Sequence, residues 1–167
     1  MDVGRFLTGI GALIWDQESD RYLLLRRSKD KDFAAGAWEC VTGRLDQGEG
    51  FEQAVHREAR EEIGAEVIPL FILGTTHFYR GESTPENELV GVVYCCRLRS
   101  GTQVKISGEH DRYRWVSEKE AFTLLRGDHP TEIWLRKVIM RAEVMKNKLP
   151  ADLYNVFVEE GFELDNG

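Results

Sequence analysis

The chain has 167 residues, 42% of them apolar, and carries 29 acidic against 22 basic side chains for a net charge of −7. That length fits one domain with a core of its own, so no metal or disulfide is needed to staple the fold. The acidic balance argues against non-specific binding to long nucleic acid, which takes a basic face, and no run approaches the roughly 20 apolar residues of a membrane helix.

In chain order, "RFLTGIGALIWD" predicts a strand ended by the turn-like "DQESD", and "RYLLLRR" predicts its hairpin partner. The first sixteen residues have no basic region ahead of a long apolar stretch, so they read as a strand and not as a signal peptide. "SKDKDFAAGAW" is too charged and too rich in Gly and Ala for a strand and is expected as a loop. "WECVTG" predicts one short strand ending at Gly43, "RLDQGEG" a loop, and "FEQAVHREAREEIG" a helix stopped by Gly64. Two extended stretches follow, "AEVIPLFILGTTHFYR" and "ELVGVVYCCRLRS", with "TQVKI" as a further short strand. "YRWVS" leads to a helix opening at Ser117, with Glu120 placed for a capping box.

"PTEIWLRKVIMRAEVMKNKL" predicts a long amphipathic helix with Ile133, Leu135, Val138, Ile139 and Met145 for packing, a helical extension from about residue 130. Strands and helices alternate irregularly, without repeat or linker, so residues 1–167 are expected as a single α/β domain around a mixed sheet. Adjacent Cys95 and Cys96 point to opposite faces of a strand, which disfavours a bond between them. With Cys40 they are expected as reduced, buried thiols of a cytoplasmic protein without membrane contact.

The segment "GRLDQGEGFEQAVHREAREEIGA" crowds six carboxylates among three basic side chains. On a helical wheel with Glu58 at zero, Glu61 falls near 300° and Glu62 near 40°. Phe51, Val55 and Ala59 fall near 20°, 60° and 100°, so the acids adjoin the apolar stripe instead of facing away from it. Like charges so placed repel, and partial burial raises the cost. Two readings account for them: a surface charge cluster braced by Arg57 and Arg60, or a seat for a hard cation such as magnesium, which favours carboxylates with phosphates and waters.

Gly43, Glu49, Arg57-Glu58, Glu61-Glu62 and Gly64 stand at the spacing of the Nudix box, and in all seven fixed positions the chain resembles Nudix hydrolases. With about 7% chance per position, a random match is on the order of 10⁻⁸ per start position. "LLLRRS", "GAWECVTG" and "GEHDRYRWVS" are similar to the family's order of elements, which extends the resemblance over roughly residues 5 to 120. Two departures stand out: Ala59 replaces a bulky aliphatic residue, and Val41-Thr42-Gly43 stands where many triphosphate-cleaving members carry Pro-Gly-Gly.

The resemblance implies a Nudix-like α/β/α sandwich around a mixed β-sheet and hydrolysis of a pyrophosphate linkage in a nucleoside diphosphate linked to some group X, with (deoxy)nucleoside triphosphates favoured. It implies Mg2+, with Mn2+ as the alternative, held by the Gly43 carbonyl, Glu58, Glu61 and Glu62. Arg57 would brace the loop through Glu49. The general base would be Glu58 or a carboxylate from a distant loop, for which Glu109 is the leading candidate ahead of His110 and Asp111. One of Arg26 and Arg27 would clamp a phosphate. Trp38 and Tyr79, with His77 and Phe78, would either stack on the base or fill the core. The expected partner is a small phosphorylated nucleotide, and homodimerisation is left open. Two other functions remain: a silent Nudix-fold nucleotide-binding module, and an isoprenoid-diphosphate isomerase that would depend on Cys40.

Overall fold

The computed structural model describes residues 4–31 and 34–164. Residues 32 and 33, within the expected loop, and 1–3, at the expected N-terminal strand's approach, lie outside the described residues. Among the described residues, seven strands form one mixed sheet: β1 (Leu7–Asp16), β2 (Arg21–Arg27), β3 (Trp38–Glu39), β4 (Val41–Arg44), β5 (Val67–Tyr79), β6 (Glu88–Leu98) and β7 (His110–Val116). Four helices among the described residues flank it: α1 (Phe51–Ile63), α2 (Glu118–Leu124), α3 (Pro130–Lys148) and α4 (Ala151–Glu160).

β1 is the axis of the sheet. Along one edge it pairs with β6 in parallel, from Leu7↔Leu89 to Ile14↔Cys96. Its other edge is shared: Ile14–Asp16 pair antiparallel with β2, and Gly9–Ala12 pair antiparallel with β4. β3 pairs antiparallel with β2, so β1 and β2 open like a fork and residues 38–44 enter and leave it, reversing at Cys40. The single strand expected for "WECVTG" is therefore two, because each half hydrogen-bonds to a different arm. That reversal places Glu39 on the β2 arm, paired with Leu25, and Gly43 on the β1 arm, paired with Ile10.

Each face of the sheet has its own core, since alternate strand residues point to opposite sides. Ile10, Ala12, Ile14, Leu23, Leu25, Tyr94 and Cys96 pack with Ala54, Val55, Ala59 and Ile63 of α1. Leu13, Trp15, Tyr22, Leu24, Val93 and Cys95 pack with Ala121 and Leu125 on one side and Leu135, Val138, Ile139 and Ala142 of α3 on the other. The result is the α/β/α sandwich expected from the sequence, with Cys95 and Cys96 on opposite faces as free, buried thiols. α3 is not an appendage: its apolar stripe closes the second core. α4, opened at Pro150, was not legible in the sequence. It crosses the edge strand β5, with Tyr154 stacked on Phe71 at 5.2 Å in one core and the following Phe162 against Tyr94 at 5.4 Å in the other.

"TQVKI" forms no strand. Its alternation has a different cause: Val104 and Ile106 pack on the α1 core, while Lys105 and Ser107 donate backbone hydrogen bonds to the Ile63 and Glu62 carbonyls (2.8 and 2.9 Å). These carbonyls belong to the last turn of α1, which has no partner of its own within the helix. Ser117 caps α2 in a capping box with Glu120, as its sequence predicts.

Candidate active site

α1 begins after a Gly50 N-cap and ends at Gly64, whose φ of 60° is the left-handed conformation that glycine adopts without strain. Its buried stripe of Ala54, Val55, Ala59 and Ile63 fixes the helix's rotation, and Glu62 goes inward with that stripe. Glu62 is 4% exposed, the Glu58 side chain 13% and the Glu61 side chain 60%. The three acids therefore differ in kind: one is buried, one is partly buried, and one is exposed.

Glu62 is held in an unusual setting. The Thr42 amide hydrogen-bonds to its carboxylate, yet Oε2 is buried with no hydrogen-bond partner. Burial, followed by the charges of Glu39, Glu58 and Glu109, raises its pKa well above the ordinary 4.5. Glu58 is also raised, first by burial, against the lowering effect of Arg57. A buried, partnerless carboxylate oxygen facing other carboxylates is costly unless a proton or a cation joins it.

Around these acids the loop is braced by one guanidinium. Arg57 grips Glu49 bidentately (Nε to Oε1 2.9 Å, Nη2 to Oε2 2.8 Å) and donates to the Arg44 carbonyl at 2.8 Å. It also reaches Glu58 at 2.7 Å and Glu61 at 3.3 Å. Those bonds hold the Glu49 carboxyl below the usual range and push the Arg57 guanidinium up. Gly43 lies under Glu58: a Cβ there would sit 1.9 Å from Glu58 Cδ. Gly43→Ala is therefore expected to remain folded, because the clashing atoms end a flexible side chain, but to displace Glu58. Activity at least about tenfold below wild type with little change in melting temperature is the expected outcome, read by kinetics and thermal melting.

Sequence reasoning missed Glu39. It is 4% exposed, accepts from Arg27 Nη1 at 3.0 Å and from His110 Nε2 at 2.8 Å, and its charge bears on Glu62. His110 Nε2 lies 4.0 Å from Glu62 Oε2, and His110 Nδ1 is buried without a hydrogen-bond partner. The one available signal was the acid beside Trp38, whose significance depends on the reversal at Cys40. Glu109 stands exposed on the loop before β7, where its charge acts on both Glu58 and Glu62.

Several expected site residues lie elsewhere. Arg26 is paired bidentately with Asp111 (2.7 and 2.9 Å), tying β2 to β7, so neither is offered to a ligand. Trp38 is 7% exposed in the α3 core, which leaves its ring no open face for a base. Arg27 faces Glu39 at the fork, inside the site. Tyr79 is exposed at the end of β5, edge-on to His77 at 5.7 Å, with His77 hydrogen-bonded to Glu88 at 2.9 Å. Just beyond it Arg80 is half-buried, its pKa lowered first by burial and then by the nearby Arg44 and Arg27 charges. Arg27, Arg44 and Arg80 are thus close enough to act on one another, with the Glu39 carboxylate among them. Cys40 is fully buried, and burial pushes its thiol far up, which removes it from any exposed chemistry.

Among the described residues, no three carboxylate, imidazole or thiol groups are gathered closely enough to hold a metal ion as they stand. The reason is visible in Glu58 and Glu61, both drawn to Arg57. The residues nonetheless fit a hard divalent ion: all donors are oxygens, Glu62 Oε2 lacks a partner, and the absence of a Cβ at Gly43 leaves Glu58 room beside the backbone.

A curated octanoyltransferase from Myxococcus xanthus is 35% identical over 63% of this chain, but the chain matches only 29% of that protein's length. Nucleoside triphosphatase NudI from Escherichia coli is 27% identical over 62% of this chain and 78% of its own. The crystal structure of a MutT protein from Methanosarcina mazei Go1 superposes with a TM-score of 0.67 at 25% identity, covering 89% of this chain and 100% of that one. The family model described as NUDIX domain matches residues 5–140, and the chain belongs to that family.

Proposed function

We propose that the chain is a divalent-metal-dependent hydrolase of the phosphoric anhydride in a nucleoside diphosphate linked to X, with a (deoxy)nucleoside triphosphate as the favoured substrate. The observation that carries this reading is Glu62 Oε2, buried without a partner beside Glu58 and Glu39. The triphosphate preference rests on the name of the NudI relative. Magnesium is the first choice of ion and manganese the second.

Glu58, Glu61, Glu62 and the Gly43 carbonyl would hold the ion. When bound, it supplies charge neutralisation at the phosphates and a lowered pKa for the attacking water. Glu39 accepts from Arg27 and His110, and His110 Nε2 in turn lies 4.0 Å from Glu62 Oε2, so these groups form the wall behind Glu62. Arg44 and Arg80 lie near Arg27 and take the polyphosphate's remaining charge. The water oxygen bonds to phosphorus, its proton passes to a Glu109 carboxylate oxygen, and the bridging P–O bond breaks with its electrons on the leaving phosphate. Arg57 does no chemistry; it keeps Glu49, Glu58 and the Arg44 carbonyl in register.

Phosphate or pyrophosphate release across a panel of nucleoside polyphosphates, nucleotide sugars and dinucleotides, with and without magnesium, tests the proposal. Magnesium-dependent release from at least one substrate is expected, and none across the panel would turn the reading to a binding module. The isomerase reading has no exposed thiol to use. Cys40→Ala should keep full hydrolytic activity and lose on the order of 1 kcal/mol of stability to the small cavity it leaves; loss of activity in a folded variant would bring the thiol back into the chemistry.

A further inference from the structure

We infer that the C-terminal segment Gly161–Glu163 is a positioning strap for α1, so that the register of Glu58 and Glu62 depends on residues about a hundred positions away. This rests on the reading of α1 as the helix that holds the metal. The N-cap of α1 is Gly50, which has no side chain to satisfy the first amides. Gln53 Oε1 accepts from the Gly50 amide at 3.1 Å, and Glu163 Oε1 accepts from the Phe51 amide at 2.6 Å. A carboxylate at this positive end of a helix is favourable.

The lacing runs both ways. Glu52 Oε2, from the first turn of α1, accepts from the Phe162 amide at 2.8 Å and the Glu163 amide at 3.4 Å. Phe162 anchors the segment: its ring stacks on Phe157 of α4 at 4.6 Å, meets Tyr94 edge-on at 5.4 Å, and packs on the same core as Val55 and Ala59. A Cβ on Gly50 would lie 2.3 Å from Glu163 Oε2, so a side chain there would push the Glu163 carboxylate from its place beside the Phe51 amide.

The strap grips the point where the loop from Gly43 becomes helix. Glu49 immediately precedes that point and is joined through Arg57 to Glu58. The other end of α1 is held by Lys105 and Ser107. A helix pinned at both ends cannot slide or tilt relative to the fork that carries Glu39 and Gly43, and metal sites are sensitive to such supports. α4 and the strap also lie beyond residues 5–140, the part matched by the family model.

The test compares wild type with Glu163→Ala and Glu163→Gln, the latter keeping an acceptor oxygen. Without substrate, backbone hydrogen exchange at Phe51–Gln53 should quicken by about tenfold in Glu163→Ala and much less in Glu163→Gln. The magnesium concentration giving half the thermal shift should rise on the order of fivefold in Glu163→Ala, with substantial rescue by Glu163→Gln. Faster exchange with an unmoved magnesium midpoint would make the segment a stability device alone and overturn the inference. Unchanged exchange would overturn it as well. A wild-type protein that gives no magnesium response would instead sink the metal reading, while the exchange arm still reports whether the strap grips the helix.

Discussion

Replacing Glu62 by Gln should lower turnover by on the order of 10² or more while leaving the protein as stable as wild type, or more so. The two halves of that expectation have one cause. The Glu62 carboxylate is buried, its Oε2 has no partner, and Glu39, Glu58 and Glu109 all bear on it with like charge. In the metal-free protein the charged form is therefore unfavourable, and a neutral amide of the same shape removes that cost. The same charge is what an ion shared with a pyrophosphate would require. Steady-state kinetics at saturating magnesium, set beside thermal melting without it, make the comparison. Near-normal turnover would refute the ligand assignment, and a large loss of stability would mean that the carboxylate is structural.

Magnesium should raise the melting temperature, and the rise should grow with pH. For a protein of this size, an ion at about a hundred times its dissociation constant adds roughly 2.7 kcal/mol, equivalent to roughly 5 to 10 °C. The sign of the pH effect follows from Glu62 and Glu58, both raised above the ordinary 4.5. Without metal, the folded protein holds protons that the unfolded chain has released, so stability is fullest below that ordinary value. It declines as pH rises through the folded values. Binding of a cation needs the ionised carboxylates and expels those protons, so affinity increases over the same interval. Melting at about pH 5 and about pH 8, with magnesium and with chelator, should give the larger shift at the higher pH. A shift that is equal at both, or absent at saturation, would separate these carboxylates from the ion.

Local sequence was sufficient for much of this. The apolar spacing of Val55, Ala59 and Ile63 set the rotation of α1 and hence put Glu62 near the core, since side chains 3.6 residues apart share a face whatever the helix packs against. Gly64 and Ser117 marked helix ends because caps are satisfied by neighbours in the chain. Cys95 and Cys96 were divided between two faces by the two-residue period of a strand. Where a choice depended on which distant backbone stood alongside, the same reasoning failed. "TQVKI" alternates like a strand, but its amides end α1 instead of joining the sheet. "WECVTG" is extended throughout, yet it breaks at Cys40 because each half meets a different arm of the fork.

The chain's own order of residues thus determined the acidic helix, the face it buries and the family resemblance, all of which rest on spacings of a few residues. Only the tertiary structure decided that Glu39 joins Glu62 through His110, 71 residues away, that Arg26 serves Asp111 and that Glu163 caps α1 from 112 positions off. Such pairings follow from how the sheet and its crossing chain bring remote segments together, and no local period encodes them.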